Sequence, residues 1–146
     1  MNTQQVMAAI VARLGAVTDV TDKLGTVPGE YQTHAIYTDV PQAAQSEDTA
    51  PFPFITVSPA SMQPYDTKGE NGGDVLIDVH AWYRGHSSSA RFALADATYF
   101  ALQKHDLAIT GANTVDCRYY GGASYKDPDG VTSHEVRTFR VTYFLT

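Results

Sequence analysis

A single cysteine, Cys117, stands in 146 residues, which rules out an internal disulfide and any cysteine-based zinc site. Set among alternating residues, it reads as a small apolar side chain that packs rather than reacts. Cations are also scarce. Ten Lys and Arg against sixteen Asp and Glu leave a formal charge of -6, the wrong balance for a protein that grips phosphates through clustered basic residues. That sign suits a wall past which DNA slides without adhering. No apolar run approaches the roughly 18 residues of a membrane-spanning helix. The opening Met-Asn-Thr-Gln-Gln carries no basic stretch ahead of its short apolar segment, so no secretory signal is expected and synthesis in a cytosol is. Repeats and low-complexity segments are missing too.

What is present is one alternating stretch around which the chain is organised. From Gly73 to Arg84, Val75, Ile77, Val79, Ala81 and Tyr83 fall on one face, and Leu76, Asp78, His80, Trp82 and Arg84 on the other. The first is the expected core face. The second mixes Leu76 and Trp82 with charges, so it is expected to be partly covered. The length fits one domain, 1–146, able to bury about 68 to 70% of its unfolded surface in a single core.

Around that strand the other elements take their places. Val6, Met7, Ile10, Val11 and Leu14 recur at helical spacing, with Thr3 as N-cap and Gly15 as the stop. Residues 16–32 carry turn chemistry with room for a further short helix, and 34–40 alternate weakly before the small, polar 41–50. Prolines bracket a strand over 54–58, and a polar loop, 60–73, follows. Beyond Ser87, Ser88 and Ser89, Ala90, Ala93, Leu94, Ala97, Phe100 and Ala101 form a helical stripe ending near Lys104. Val115, Cys117 and Tyr119 mark a strand stopping at Gly121-Gly122, and Asp127-Pro-Asp-Gly130 is a specific turn into a last strand over 135–145. Strands joined by hairpins predict an α+β domain: a mainly antiparallel sheet of four to five strands with two helices on one face.

Apparent chemistry is thin. Asp78 and His80 share a strand face with His86 nearby, but no third ligand is placed by a motif, and a polar strand face explains them better than a metal site. The serines before the helix are caps rather than nucleophiles. Lys126-Asp-Pro-Asp-Gly lacks the closing acidic ligand of a calcium loop. Glycine pairs at 72–73 and 121–122 match neither the phosphate-loop nor the dinucleotide pattern. No catalytic residue, metal ligand or cofactor site is expected. The nine tyrosines, with Tyr31, Tyr37, Tyr65, Tyr119, Tyr120 and Tyr125 in or near loops and strand ends, favour an interaction protein over an enzyme. Candidate subunit-interface residues are Leu76, Trp82, Arg84 and Tyr120. In the loop 60–73, Tyr65 with Asp66, Lys68 and Glu70 around it forms a candidate partner-docking element, hinged by Asn71-Gly-Gly73 and ordered mainly on assembly.

The series Ile36-Tyr-Thr-Asp-Val-Pro-Gln42, Pro51-Phe-Pro-Phe-Ile-Thr-Val57, Val75 through Trp82-Tyr-Arg84, the Ala-rich helix, and Asp127-Pro-Asp-Gly through Val141 resembles the tail-completion or tail-terminator family of long-tailed bacteriophages. That family occurs also in prophages and gene transfer agents, and the likeness runs from Ile36 onward, with 42–50 and 60–73 longer than its compact pattern. The resemblance implies a subunit that assembles into a ring, typically a homohexamer, at the head-proximal end of the tail tube. Its partners would be its own copies, the tail tube protein and the head-tail connector or stopper. DNA would pass through without specific binding, and the protein would be made in the host bacterial cytoplasm and reside in the virion. The alternatives are a neck or stopper protein on the portal side, separable by gene order, and a small enzyme or ligand-binding domain using the Asp78, His80 and Trp82 face, separable by bound metal or turnover.

Overall fold

The computed structural model describes residues 3–25, 34–38 and 52–146. The expected features at Tyr31, at 39–50 and at Pro51 lie outside them. Five strands form one sheet in the order β1-β2-β3-β5-β4: β1 (Ile36–Tyr37), β2 (Phe54–Pro64), β3 (Gly72–Arg84), β4 (Ala112–Lys126) and β5 (Thr132–Leu145). All neighbours run antiparallel except β1 and β2. The organising strand is the middle one, paired with β2 on one edge and with β5 along its whole length, Gly72 to Arg84, on the other.

One face of the sheet is the core. Val75, Ile77, Val79 and Ala81 on β3 are buried, and Ile55 and Val57 on β2 and Phe139, Val141 and Tyr143 on β5 join them. Over them lie α1 (Thr3–Ala16) through Val6, Ala9, Ile10 and Leu14, and α3 (Ser88–Leu102) through Leu94, Ala97, Ala101 and Leu102, with the short α2 (Thr18–Thr21) between. Each fully buried Val, Leu, Ile or Phe is worth roughly 1.5–3 kcal/mol, so this face dominates stability.

Four expectations need correction. First, α1 runs through Gly15 to Ala16, and Thr3 lies within the helix, its hydroxyl donating to Met62 Sδ at 3.0 Å rather than capping. Second, Phe100 is 70% exposed, while Ala95 and Thr98 are buried, so α3 is rotated about its axis relative to the expected stripe. Thr98 tolerates burial because its hydroxyl donates to the Ala95 carbonyl at 2.6 Å, leaving no polar group unsatisfied. Small side chains then let the helix approach the sheet more closely than Phe100 would.

Third, the loop 60–73 shrinks to 65–71. Residues up to Pro64 stay paired in β2 through an irregularity between Pro59 and Ser61, and Gly72 and Gly73 belong to β3. The glycine pair is a spacing device rather than a hinge: a Cβ on Gly73 would collide with the ring of the fully buried Tyr143. Fourth, β4 does not stop at Gly121-Gly122 but continues to Lys126, with register shifts at Thr114/Asp116 and Tyr119/Gly121. A shift of this kind absorbs one extra residue, here Tyr120, and lets the long hairpin twist without losing its pairing.

Candidate interaction surface

The second face of the sheet carries an aromatic ladder that crosses four strands. Cross-strand pairing sets Phe54 opposite Trp82, Trp82 opposite His134 and His134 opposite Tyr125. Their rings stack in turn, with centroids 5.7 Å, 4.1 Å and 4.9 Å apart. His80 lies against both Trp82, at 6.2 Å, and His134, at 5.3 Å. Trp82 Nε1 donates to Thr56 Oγ1 at 3.0 Å, fixing the indole. Arg84 sits at the same end, its guanidinium 4.3 Å from the Phe52 ring and its Nε donating to Thr132 Oγ1 at 3.1 Å.

Leu76 and Tyr120 meet farther along this face. They line a shallow hollow of about 220 Å³ with Ser61, Gln63, Asp74 and Arg140. Arg140 Nε donates to the Asp74 carboxylate at 2.9 Å and its Nη2 donates to Oδ2, a two-pronged pairing on the rim. The four expected interface residues therefore share one face but form two groups, Trp82 with Arg84 and Leu76 with Tyr120.

Of the residues considered as ligands, Asp78 is held by a hydrogen bond, accepting from the Thr138 hydroxyl at 2.5 Å. Among the described residues no group of three or more His, Cys, Asp or Glu could hold a metal ion. His80 and His134 each bury an Nδ1 that has no hydrogen-bond partner. Burial holds both imidazoles below their ordinary pKa, with Asp78 opposing for His80; His80 adds to the lowering at His134, where Asp127 and Glu135 oppose. Both therefore sit neutral within the ladder near pH 7. Burial, helped by Asp116, pushes the Cys117 thiol up to about 12, consistent with a packed and unreactive cysteine.

The tip between β2 and β3 carries hydrogen bonds of its own. Tyr65 N donates to the Gly72 carbonyl at 3.1 Å, Gly72 N to Asp66 Oδ1 at 3.0 Å, and Thr67 N to the Glu70 carbonyl at 2.8 Å. Tyr65 packs 5.6 Å from Phe144, and Lys68 and Glu70 are exposed at the end. The β4–β5 tip projects from the opposite end of the sheet. Asp129 shapes it by accepting from the backbone of Val131 and Thr132 and from the Thr132 hydroxyl, and these bonds, the hydroxyl's first, hold its carboxyl down at about 2.

Sequence reasoning missed Glu135. It occupies a core-face position, fully buried, with Arg91 of α3 at 3.0 Å and Arg137 at 3.4 Å, and it accepts a short hydrogen bond from Ser124. The signal was an acidic residue at the phase of Phe139 and Val141. This cluster fastens the distal half of the β4–β5 hairpin to the start of α3.

A family model described as Tail completion protein gp17 matches residues 8–143. The tail completion protein gp17 of Bacillus phage SPP1 is 26% identical over 92 residues, covering 63% of this chain and 68% of that protein. Among solved structures, a chain from the virion of a native gene transfer agent particle shares the fold, with a TM-score of 0.71 at 18% identity over 95% of this chain and 94% of that one.

Proposed function

The chain belongs to the tail completion protein gp17 family, and on that premise we propose that it forms a ring, a homohexamer, capping the head-proximal end of a phage tail tube. It is a structural part of the virion tail. The action is geometric: one side of the ring matches the last tube ring and the other does not repeat it, so tube growth ends and the head connector meets a new surface. The carrying observation is the aromatic ladder on a sheet face that no described helix covers. Identical subunits that meet through two different patches form a ring when the rotation between neighbours closes. The complementary patch is the outer side of α3 and its neighbour on β4, where Phe100, Tyr99 and Tyr119 cluster with ring centroids 5.2 Å apart. The whole chain acts as one domain, and the tip at 65–71 with Tyr65, Asp66, Lys68 and Glu70 docks a partner at one end of the ring.

The acidic charge keeps the lumen from holding DNA, so filter binding at physiological salt should be weak; submicromolar affinity with a steep salt slope would contradict it. The test of the ring itself is electron microscopy of assembled tails. A closed ring of this protein at the tube end is expected, and Trp82→Ala, which also lowers the melting point by removing a packed indole, should lower the count of joined particles at temperatures where it stays folded. A single copy per tail, or normal joining by Trp82→Ala together with Leu76→Ala, sinks the reading.

A further inference from the structure

The sheet ends on two unlike edges, and the pairing fixes which backbone groups point outward. On β2, Ile55 N donates across to the Ala35 carbonyl at 2.9 Å and Tyr65 N donates inward to Gly72 at 3.1 Å. Alternation then places Ile55, Val57 and Pro59 on the outward row before the irregularity, and Met62 and Pro64 after it. Proline has no N–H, so Pro59 and Pro64 blunt this edge against further pairing.

The β4 edge is different in its two halves. The first half is occupied: Lys104 N donates to the Cys117 carbonyl at 2.9 Å, and Tyr119 N donates to Gln103 Oε1 at 2.6 Å. Beyond Tyr120, Asp127 N donates inward to the Thr132 carbonyl at 2.8 Å, and counting back turns the N–H and C=O of Gly122, Ser124 and Lys126 away from β5. No described residue bonds these groups, and 122–126 are exposed throughout and free of proline. An open row of alternating donors and acceptors is a template for another strand.

We propose that the edge 122–126 pairs antiparallel with the same edge of a second copy, joining two sheets into one about a two-fold axis. The occupant is a copy rather than a foreign strand because this edge is complementary to itself. With Ala123 opposite Ala123 of the second copy, Gly122 faces Ser124 in a hydrogen-bonded pair on each side of the axis. Tyr125 then lies opposite Gly121 and covers bare backbone, and Lys126 faces Tyr120, so no like charges meet. The contact closes at two copies and covers, on the free subunit, an edge otherwise open to aggregation. The pairing is made by edge backbone, whereas Phe54, Trp82 and His134 of the ladder lie on other strands; Tyr120 and Tyr125 border both contacts.

The experiment is cross-linking of purified protein in solution. Ala123 sits at a non-hydrogen-bonded pair, where facing Cβ atoms come close enough for a disulfide, and the buried Cys117 stays silent. Mild oxidation of Ala123→Cys should give a covalent dimer, and light scattering should find the parent dimeric at high concentration. Ser124→Pro removes one outward N–H and should be monomeric, while Ser124→Ala, which loses the same side chain, stays dimeric. Should Ser124→Pro fail to fold, hydrogen exchange decides: the Gly122 and Ser124 amides of the parent must slow as concentration rises. A monomeric parent with no Ala123→Cys dimer overturns the proposal, as does a folded Ser124→Pro that remains dimeric. Protection of those amides only within assembled tails would mean a foreign strand takes the edge, and the second-copy pairing fails. The ring at the tube end is judged separately, by electron microscopy of assembled tails.

Discussion

Replacing Glu135 with Ala tests whether the buried cluster at the start of α3 holds the distal hairpin. The substitution strips Arg91 and Arg137 of their shared counterion and leaves the Ser124 hydroxyl without its acceptor. Breaking a fully buried pair costs about 3–5 kcal/mol, because a charge is left in a poor solvent. Here the Arg91 and Arg137 side chains remain 21% and 16% exposed, so both released cations reach some water. The expected loss is therefore about 2–4 kcal/mol. At about 2–4 °C per kcal/mol for a chain of this size, the melting point should fall by about 4–16 °C. Urea titration supplies the free energy, and a double-mutant cycle with Arg91→Ala isolates the pair. The double variant Arg91→Met with Glu135→Leu, which fills the space without charge, should recover most of the loss. Hydrogen exchange in Glu135→Ala should speed at the β4–β5 hairpin while α1 and β2 stay protected. A loss below about 1 kcal/mol, or strictly additive single substitutions, would refute the reasoning and leave Glu135 a bystander.

Two other outcomes follow from the same structure. The folded-state pKa values of His80 and His134 lie below 6.5, so the unfolded chain binds more protons just under that value. Stability is then complete above the ordinary histidine pKa and lost as pH falls below it; the urea midpoint should drop between about pH 7 and about pH 5, and His80→Gln with His134→Gln should flatten the slope. An equally steep slope in the double variant would place the effect elsewhere. Replacing 67–70 with Asn-Gly keeps the pairs that Gln63 and Pro64 make with Asp74 and Gly73, so the fold and its melting should survive while the count of joined head-tail particles falls. Normal joining would remove the tip from the docking surface.

Strand identity was legible where local chemistry left one option. Val75, Ile77, Val79 and Ala81 recur at every second position, and in the folded chain every member of that apolar set is buried. Asp127-Pro-Asp-Gly130 carries its turn in its own side chains, since Asp129 caps the backbone it precedes. Leu76, Trp82 and Arg84 were legible as sharing a strand face, because a period of two is set by the backbone alone, whereas Tyr120 lies on another strand. The grouping of the four into two clusters was not legible, because it depends on which strand lies beside which.

The sequence by itself determined the α+β class, the central strand with its two faces and the acidic, cysteine-poor character that removes whole classes of chemistry. Only the tertiary structure decided the rotation of α3, where a satisfied Thr98 displaced Phe100 from the core. It also decided the burial of Glu135, which two arginines brought from α3 and β5 make tolerable. The extension of β4 past two glycines was settled in the same way, by continuous pairing with β5. The Arg91–Glu135 contact and the β4–β5 pairing each join residues from different elements, and periodicity records which side of an element a residue occupies but not what it will meet there.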